Sequence, residues 1–285
     1  MRQRAPLVAT GHADVTRRPH DAGVLRIPLR LFGVALCVGA GILVALFLGR
    51  CTVRTRRAIV RTWARTLLWT TGVQVRACGS LPRTTSLLVA NHVSWLDIVT
   101  MAAIEPATFV CKAEVAAWPL VGMLAARAGS LFVQRRQFRA IYRVTRQMGA
   151  RLDAGDAVAV FPEGTTSEGT TVQRFATGVF QPAVARGLPV TPIAIAYSNP
   201  DAGFVGDMTF AASLVRVLRS RGLVAYLTFL APIDSACAGR RAVSAEAYRR
   251  IAAVLAAPPH AAEYRPPARS FAYPAALGTD SASRR

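Results

Sequence analysis

LLVANHVSWLD, from Leu87 to Asp97, is the segment on which the reading of this chain turns. Leu87 to Ala90 form an unbroken apolar run of four, the length and character of a strand buried on both faces. Asn91 to Ser94 then supply the polar residues that end such a run. A five-residue offset on one continuous helix sets two side chains about 140° apart. His92 and Asp97 therefore meet only if the histidine stands on the turn and the aspartate in the first helical turn, the arrangement that the strand predicts. An aspartate beside an imidazole fixes its tautomer and stabilises the imidazolium as it forms, so His92 can take a proton from an attacking hydroxyl. By itself the pair also fits a structural histidine satisfied by a carboxylate.

Working outward, residues 71–256 alternate short β-type runs with helical patterns. The runs fall at 87–90, 108–111, 131–133, 157–161, 190–196 and 224–230, the helices near 97–104, 114–127, 137–153, 176–186, 208–220 and 243–256. The alternation predicts an α/β domain built on a central, mostly buried sheet flanked by helices. Three further runs carry candidate site residues. FPEGTTS, Phe161 to Ser167, ends a strand; Pro162 and Gly164 shape a tight turn that presents Glu163 where the sheet ends. The backbone N–H groups of such a turn can bind an oxyanion, and its Thr165 and Thr166 are candidate substrate-binding residues; a plain connection with a solvated glutamate fits as well. LFVQRR places Arg135 and Arg136 directly after a strand, either to clamp an anionic headgroup or as a solvated basic pair. LPVTPIAI, Leu188 to Ile195, has Pro192 inside it, which predicts an edge or irregular strand serving as core or as a site wall.

The N-terminal side has a different character. Residues 1–30 read as a disordered, arginine-rich tail. Residues 31–49, LFGVALCVGAGILVALFLG, hold no charge and span roughly 28 Å as a helix, close to a bilayer core. Arginines flank both sides, so the excess of cations gives no orientation, and entry and return through one leaflet resolves the tie. Over 52–70, Arg54, Arg57, Arg61 and Arg65 share one helical face, and Val60, Trp63, Ala64, Leu67 and Leu68 share the other. That pattern suits a membrane interface, with a helix packed on the core as the alternative. Residues 257–285, rich in Pro, Ala, Ser and Arg, read as a disordered tail. The organisation expected is thus a tail (1–30), membrane-attachment helices (31–70), a catalytic domain (71–256) and a tail (257–285).

Composition narrows the function. The formal charge is +20, from 35 basic and 15 acidic residues, and one basic residue alone, Lys112, is lysine. Such a surface favours anionic partners, and the apolar segment favours lipid over nucleic acid. No helix-turn-helix, RNA-recognition or zinc pattern supports a nucleic-acid partner, and no nucleic acid is expected. Neither G-x-S-x-G nor a phosphate-binding glycine loop is present. The histidines are His12, His20, His92 and His260, three of them in the tails, which argues against a multi-histidine metal site. Five scattered cysteines read as small buried apolar residues rather than a disulfide framework.

In order and spacing, the four segments resemble the glycerolipid acyltransferase family, typified by the 1-acylglycerol-3-phosphate acyltransferases, across roughly residues 85–197. The family's N-terminal membrane helices correspond to about 30–70. The resemblance implies O-acyl transfer from acyl-CoA or an acyl carrier protein to a lysolipid hydroxyl, with neither metal nor other cofactor. It assigns His92 as general base, Asp97 as its partner, Arg135 to the acceptor-binding motif, and Glu163 and Gly164 to the third block. It also implies a bacterial enzyme of the cytoplasmic (inner) membrane, in contact with membrane lipids, its catalytic domain facing the cytosol. Two positions depart from the family pattern. Thr166 stands where arginine is common, and Ala176 follows Phe175 where lysine is usual. A charge-assisted bond to phosphate is worth about 1.5–3 kcal/mol, so losing two weakens phosphate recognition. Either Arg135, Arg136 and Arg174 compensate, or the acceptor is not a phosphate ester. Threonine at position 166 resembles the lyso-ornithine lipid acyltransferase branch.

Overall fold

The computed structural model describes residues 26–134 and 137–256. The expected C-terminal tail, most of the expected N-terminal tail, and Arg135 and Arg136 lie outside the described residues.

Two antiparallel helices come first. α1 (Arg26–Ala45) has Pro28 in its first turn, where the missing N–H is no loss. A short turn and a 3-10 segment, Leu48–Arg50, lead to α2 (Val53–Thr71). Thr52 caps α2 by accepting from Thr55 N at 3.2 Å, and Gly72 ends it at φ 76°. The domain then runs β1 (Gln74–Gly79), β2 (Leu87–Ala90), α3 (Leu96–Ile104), β3 (Thr108–Lys112), α4 (Val121–Arg127), β4 (Leu131–Val133) and α5 (Phe138–Asp153). It continues with β5 (Val158–Val160), α6 (Gln181–Val184), β6 (Val190–Tyr197), α7 (Phe210–Arg219), β7 (Val224–Phe229) and α8 (Arg240–Ala256).

The seven strands lie in the order β1-β7-β6-β2-β5-β3-β4. Every neighbouring pair is parallel except β6 and β7. Alternate residues of the central strands feed two separate cores, as the period of two requires. Leu88, Ala90, Ala159, Ile193 and Ile195 pack under α2 and α3. Leu87, Val89, Val158, Val160 and Ala194 pack under α5, α6 and α8. α1 forms an outer layer, with Val34 and Cys37 against Leu67 of α2 and Leu218 of α7.

The expected α/β architecture is present, with corrections. β1 was not anticipated: it is an edge strand with one buried side chain, Val75, and Arg76 in its middle, so it lacks an apolar run. The helix expected over 114–127 is broken into a 3-10 turn, Ala113–Ala117, and α4. Pro119 has no N–H to give a helix and drives Trp118 into extended backbone (ψ 124°), with Leu120 at φ 63°. The helix expected over 176–186 is a 3-10 turn, Thr177–Phe180, followed by the four residues of α6. Pro192 lies in a central strand, not an edge. Its carbonyl accepts from Leu230 N on the β7 side, and the β6–β7 register begins one residue later, at Ile193, so the missing N–H falls outside that ladder. Cys37 and Cys111 are buried as expected, but Cys51 and Cys78 are partly exposed and Cys237 is exposed.

The apolar face of α2 meets protein. Ala64 and Leu68 join the core, and Leu67 packs against α1. Its basic face is also tied to the domain: Arg57 donates to Gly155 O, Arg61 pairs with Glu105, and Arg65 donates to Ala103 O. Trp69 of α2 stays exposed, and the largest group of exposed apolar side chains on one element, Leu29, Leu31, Phe32, Leu36, Leu43 and Val44, lies on α1, the one described helix long and apolar enough to cross a membrane.

Candidate active site

β2 ends at Ala90, and Asn91 controls how the chain leaves the strand. Its side-chain amide donates to Ile195 O at 2.9 Å and accepts from Ile195 N at 2.8 Å. A side chain thus extends the β2–β6 ladder by one rung and fixes where His92 departs from the sheet. Asp97 sits on the second residue of α3, fully buried, as the spacing requires. His92 Nδ1 meets Asp97 Oδ2 at 2.8 Å, and the same oxygen accepts from Val93 N at 2.7 Å and Ser94 N at 3.0 Å. Asp97 Oδ1 accepts from Tyr197 OH at 2.7 Å. A carboxylate only accepts, so Nδ1 carries the hydrogen and Nε2 presents its lone pair. Among the described residues Nε2 has no partner, and the side chain keeps 15% exposure. Phe161 stacks on the imidazole at 4.1 Å, which holds the ring plane.

The FPEGTTS turn lies against the same loop. Glu163 Oε1 accepts from His92 N at 3.0 Å and Oε2 from Gln173 N at 3.2 Å. Burial pushes the Glu163 carboxyl above its ordinary range, opposed by those two backbone bonds. Gly164 adopts φ 77°, which closes the turn. Ser167 N donates to His92 O at 2.8 Å. Thr165 is exposed, and the Thr166 hydroxyl donates to Phe204 O. Arg174 is exposed, one residue beyond the Gln173 amide that holds Glu163.

Thus His92, Asp97, Glu163, Gly164 and Thr166 gather at the C-terminal ends of β2 and β5. Two kinds of contributor escaped the sequence. Tyr197 ends β6, two residues beyond the Ile195 that Asn91 holds; only its placement at a strand end hinted at a role. Burial, and then the neighbouring Asp97, raise the Tyr197 phenol well above its ordinary range, so it stays a donor. Trp95 and Trp118 are the other case, packing on Phe210 at 5.1 and 5.2 Å as an apolar wall behind the His92 loop.

Residues 72–196 match the family model described as Acyltransferase. The chain is 36% identical over 205 residues to a lyso-ornithine lipid O-acyltransferase of Pseudomonas aeruginosa, covering 70% of this chain and 79% of the relative. The chain belongs to this acyltransferase family. It is an O-acyltransferase of the lysolipid type. A 1-acyl-sn-glycerol-3-phosphate acyltransferase of Neisseria meningitidis is 32% identical over 155 residues, 53% of this chain and 61% of the relative. The crystal structure of a 1-acyl-sn-glycerophosphate acyltransferase from Thermotoga maritima shares the fold. Its TM-score is 0.58 at 20% identity, covering 82% of this chain and 96% of that one.

Proposed function

We propose that His92 is the general base that takes the proton from a lysolipid hydroxyl while that oxygen attacks the carbonyl of an acyl thioester. The observation that carries this is the buried Asp97 holding Nδ1 of His92 and leaving Nε2 open. Asp97 stabilises the imidazolium as it forms, and Tyr197 positions Asp97. The amides of Thr165 and Thr166, which find no acceptor among the described residues, are suited to the oxyanion. The thiolate of acyl-CoA or of an acyl carrier protein then leaves. A thioester is already activated, so no acyl-enzyme is required.

The acceptor proposed is lyso-ornithine lipid. Thr166 carries no charge and spends its hydroxyl on Phe204 O, and Ala176 places no cation after Phe175. The relatives named for that acceptor add weight. A phosphate ester is the second reading, favoured by Arg174 beside the site and by the Neisseria relative. The proposed location is the cytosolic leaflet of a bacterial inner membrane, with α1 half-embedded and the catalytic domain in the cytosol.

Labelled acyl donor supplied with either acceptor tests the choice. Wild type should favour lyso-ornithine lipid, and Thr166→Arg should raise kcat/KM for 1-acylglycerol-3-phosphate relative to it. A wild-type preference for the phosphate ester would overturn the acceptor assignment, and its loss in Arg174→Ala would trace that preference to Arg174.

A further inference from the structure

The reaction leaves unused a charged cluster at the opposite end of the strands. Arg56 and Arg57, near the start of α2, and Arg151, near the end of α5, all reach Asp156, at 3.4, 3.4 and 3.6 Å. Asp156 is buried, and the rest of the cleft is formed by Val60, Ala128 and residues 106–108; Glu105, beside that wall, pairs with Arg61 and also attracts Arg57. Counting Arg61, four cations thus face two carboxylates. None makes the short two-armed contact that Arg186 makes with Asp153, at 2.7 and 2.8 Å. Donors are left over, and partly buried excess charge is costly until an anion offsets it. Gly129, at φ 95°, leaves the floor open. A Cβ built there would stand 3.9 Å from Arg151 Nη2 and 4.0 Å from Arg56 Nη1, with nothing nearer.

The position suggests the ligand. The register Leu87↔Val158 places Asp156 at the start of the strands, on the order of 20 Å from His92, too far to hold the reacting lipid. Just before Arg56 the α1–α2 turn exposes Leu46, Phe47 and Val53. We propose that this cleft binds the phosphate of an anionic phospholipid headgroup, a docking lipid distinct from the substrate. The proposal rests on the reading that α1 and its turn enter the membrane.

Flotation of the full chain with phosphatidylcholine vesicles, with and without phosphatidylglycerol, is the test. Wild type should bind the anionic vesicles about tenfold more tightly or better. Arg56→Gln/Arg151→Gln keeps the Arg57–Asp156 pair, so the fold should persist, and most of that preference should vanish. Arg151→Gln alone should lose part of it. Arg139→Gln/Arg143→Gln, an equal loss of charge on the exposed face of α5, should keep it. Equal losses in both double variants, or no loss in the cleft variant, overturn the site. If wild type ignores both vesicles, the membrane reading fails. The site still stands if short-chain phosphatidylglycerol below its micelle concentration raises the Tm of wild type and not of the cleft variant. An equal rise with inorganic phosphate would overturn the headgroup assignment.

Discussion

At the residue scale, the site is a carboxylate with four donors and an imidazole with one open nitrogen. Tyr197→Phe removes the donor to Asp97 Oδ1 and leaves a buried oxygen unsatisfied. Turnover should fall about tenfold with KM little changed, the scale of one hydrogen bond to a charged group. A purely structural Tyr197 would lower the Tm and leave kcat of the folded variant in place. Glu163 gives a second prediction. Its carboxyl is raised in the native state, mainly by burial, so the native protein binds the proton before the unfolded chain does. Its contribution to stability therefore grows as pH falls from neutrality toward the ordinary carboxylate range. Across that window the Tm of wild type should improve relative to Glu163→Gln; a constant gap contradicts the assignment. The His92–Asp97 contact was legible because a five-residue offset across a strand-to-helix turn has one solution. Tyr197 was not, because nothing in LPVTPIAI tells which residue beyond the strand turns toward an aspartate 100 positions earlier in the chain.

At the element scale, α1 has two faces with separate jobs. Val34, Cys37, Gly41 and Ala45 are buried, while Phe32 and Leu36 are 68% and 65% exposed. Phe32→Glu/Leu36→Glu should therefore release the protein from membranes and leave its Tm unchanged. An inward change should do the reverse. A Cβ on Gly41 would meet Trp63 Nε1 at 2.4 Å, and that nitrogen donates to Cys37 O, so Gly41→Val should lower the Tm by several degrees. Loss of membrane binding only with loss of fold would mean that the exposed stripe is not the contact surface. Sequence periodicity showed the two faces of α2 but not what they meet. A basic amphipathic helix reads the same whether its arginines face headgroups or a domain's carbonyls and acids. Likewise 114–127 carries a helical pattern, and Pro119 decides the break.

At the scale of the whole molecule, both ends of α1 lie along the domain. Arg30 Nη1 donates to Leu218 O at 2.8 Å and Ser220 O at 3.1 Å, and the other end returns through a short turn into α2. On the proposed reading, a helix held in this way enters one leaflet and does not cross. Protease on the periplasmic side of intact cells should cut neither before Arg26 nor within residues 46–52; cutting at one of them would show a span. The architecture itself was legible, because buried parallel strands are apolar throughout and helices separate them. The sheet's edge was not, since β1 has little to bury. The central claim is that His92 does the proton transfer. Its most direct test is turnover of lysolipid with labelled acyl thioester by the full-length His92→Ala variant, alongside its Tm and vesicle binding. The expected result is a loss of at least about 10²-fold in turnover with folding and binding intact. A folded variant that turns over near the wild-type rate would contradict it.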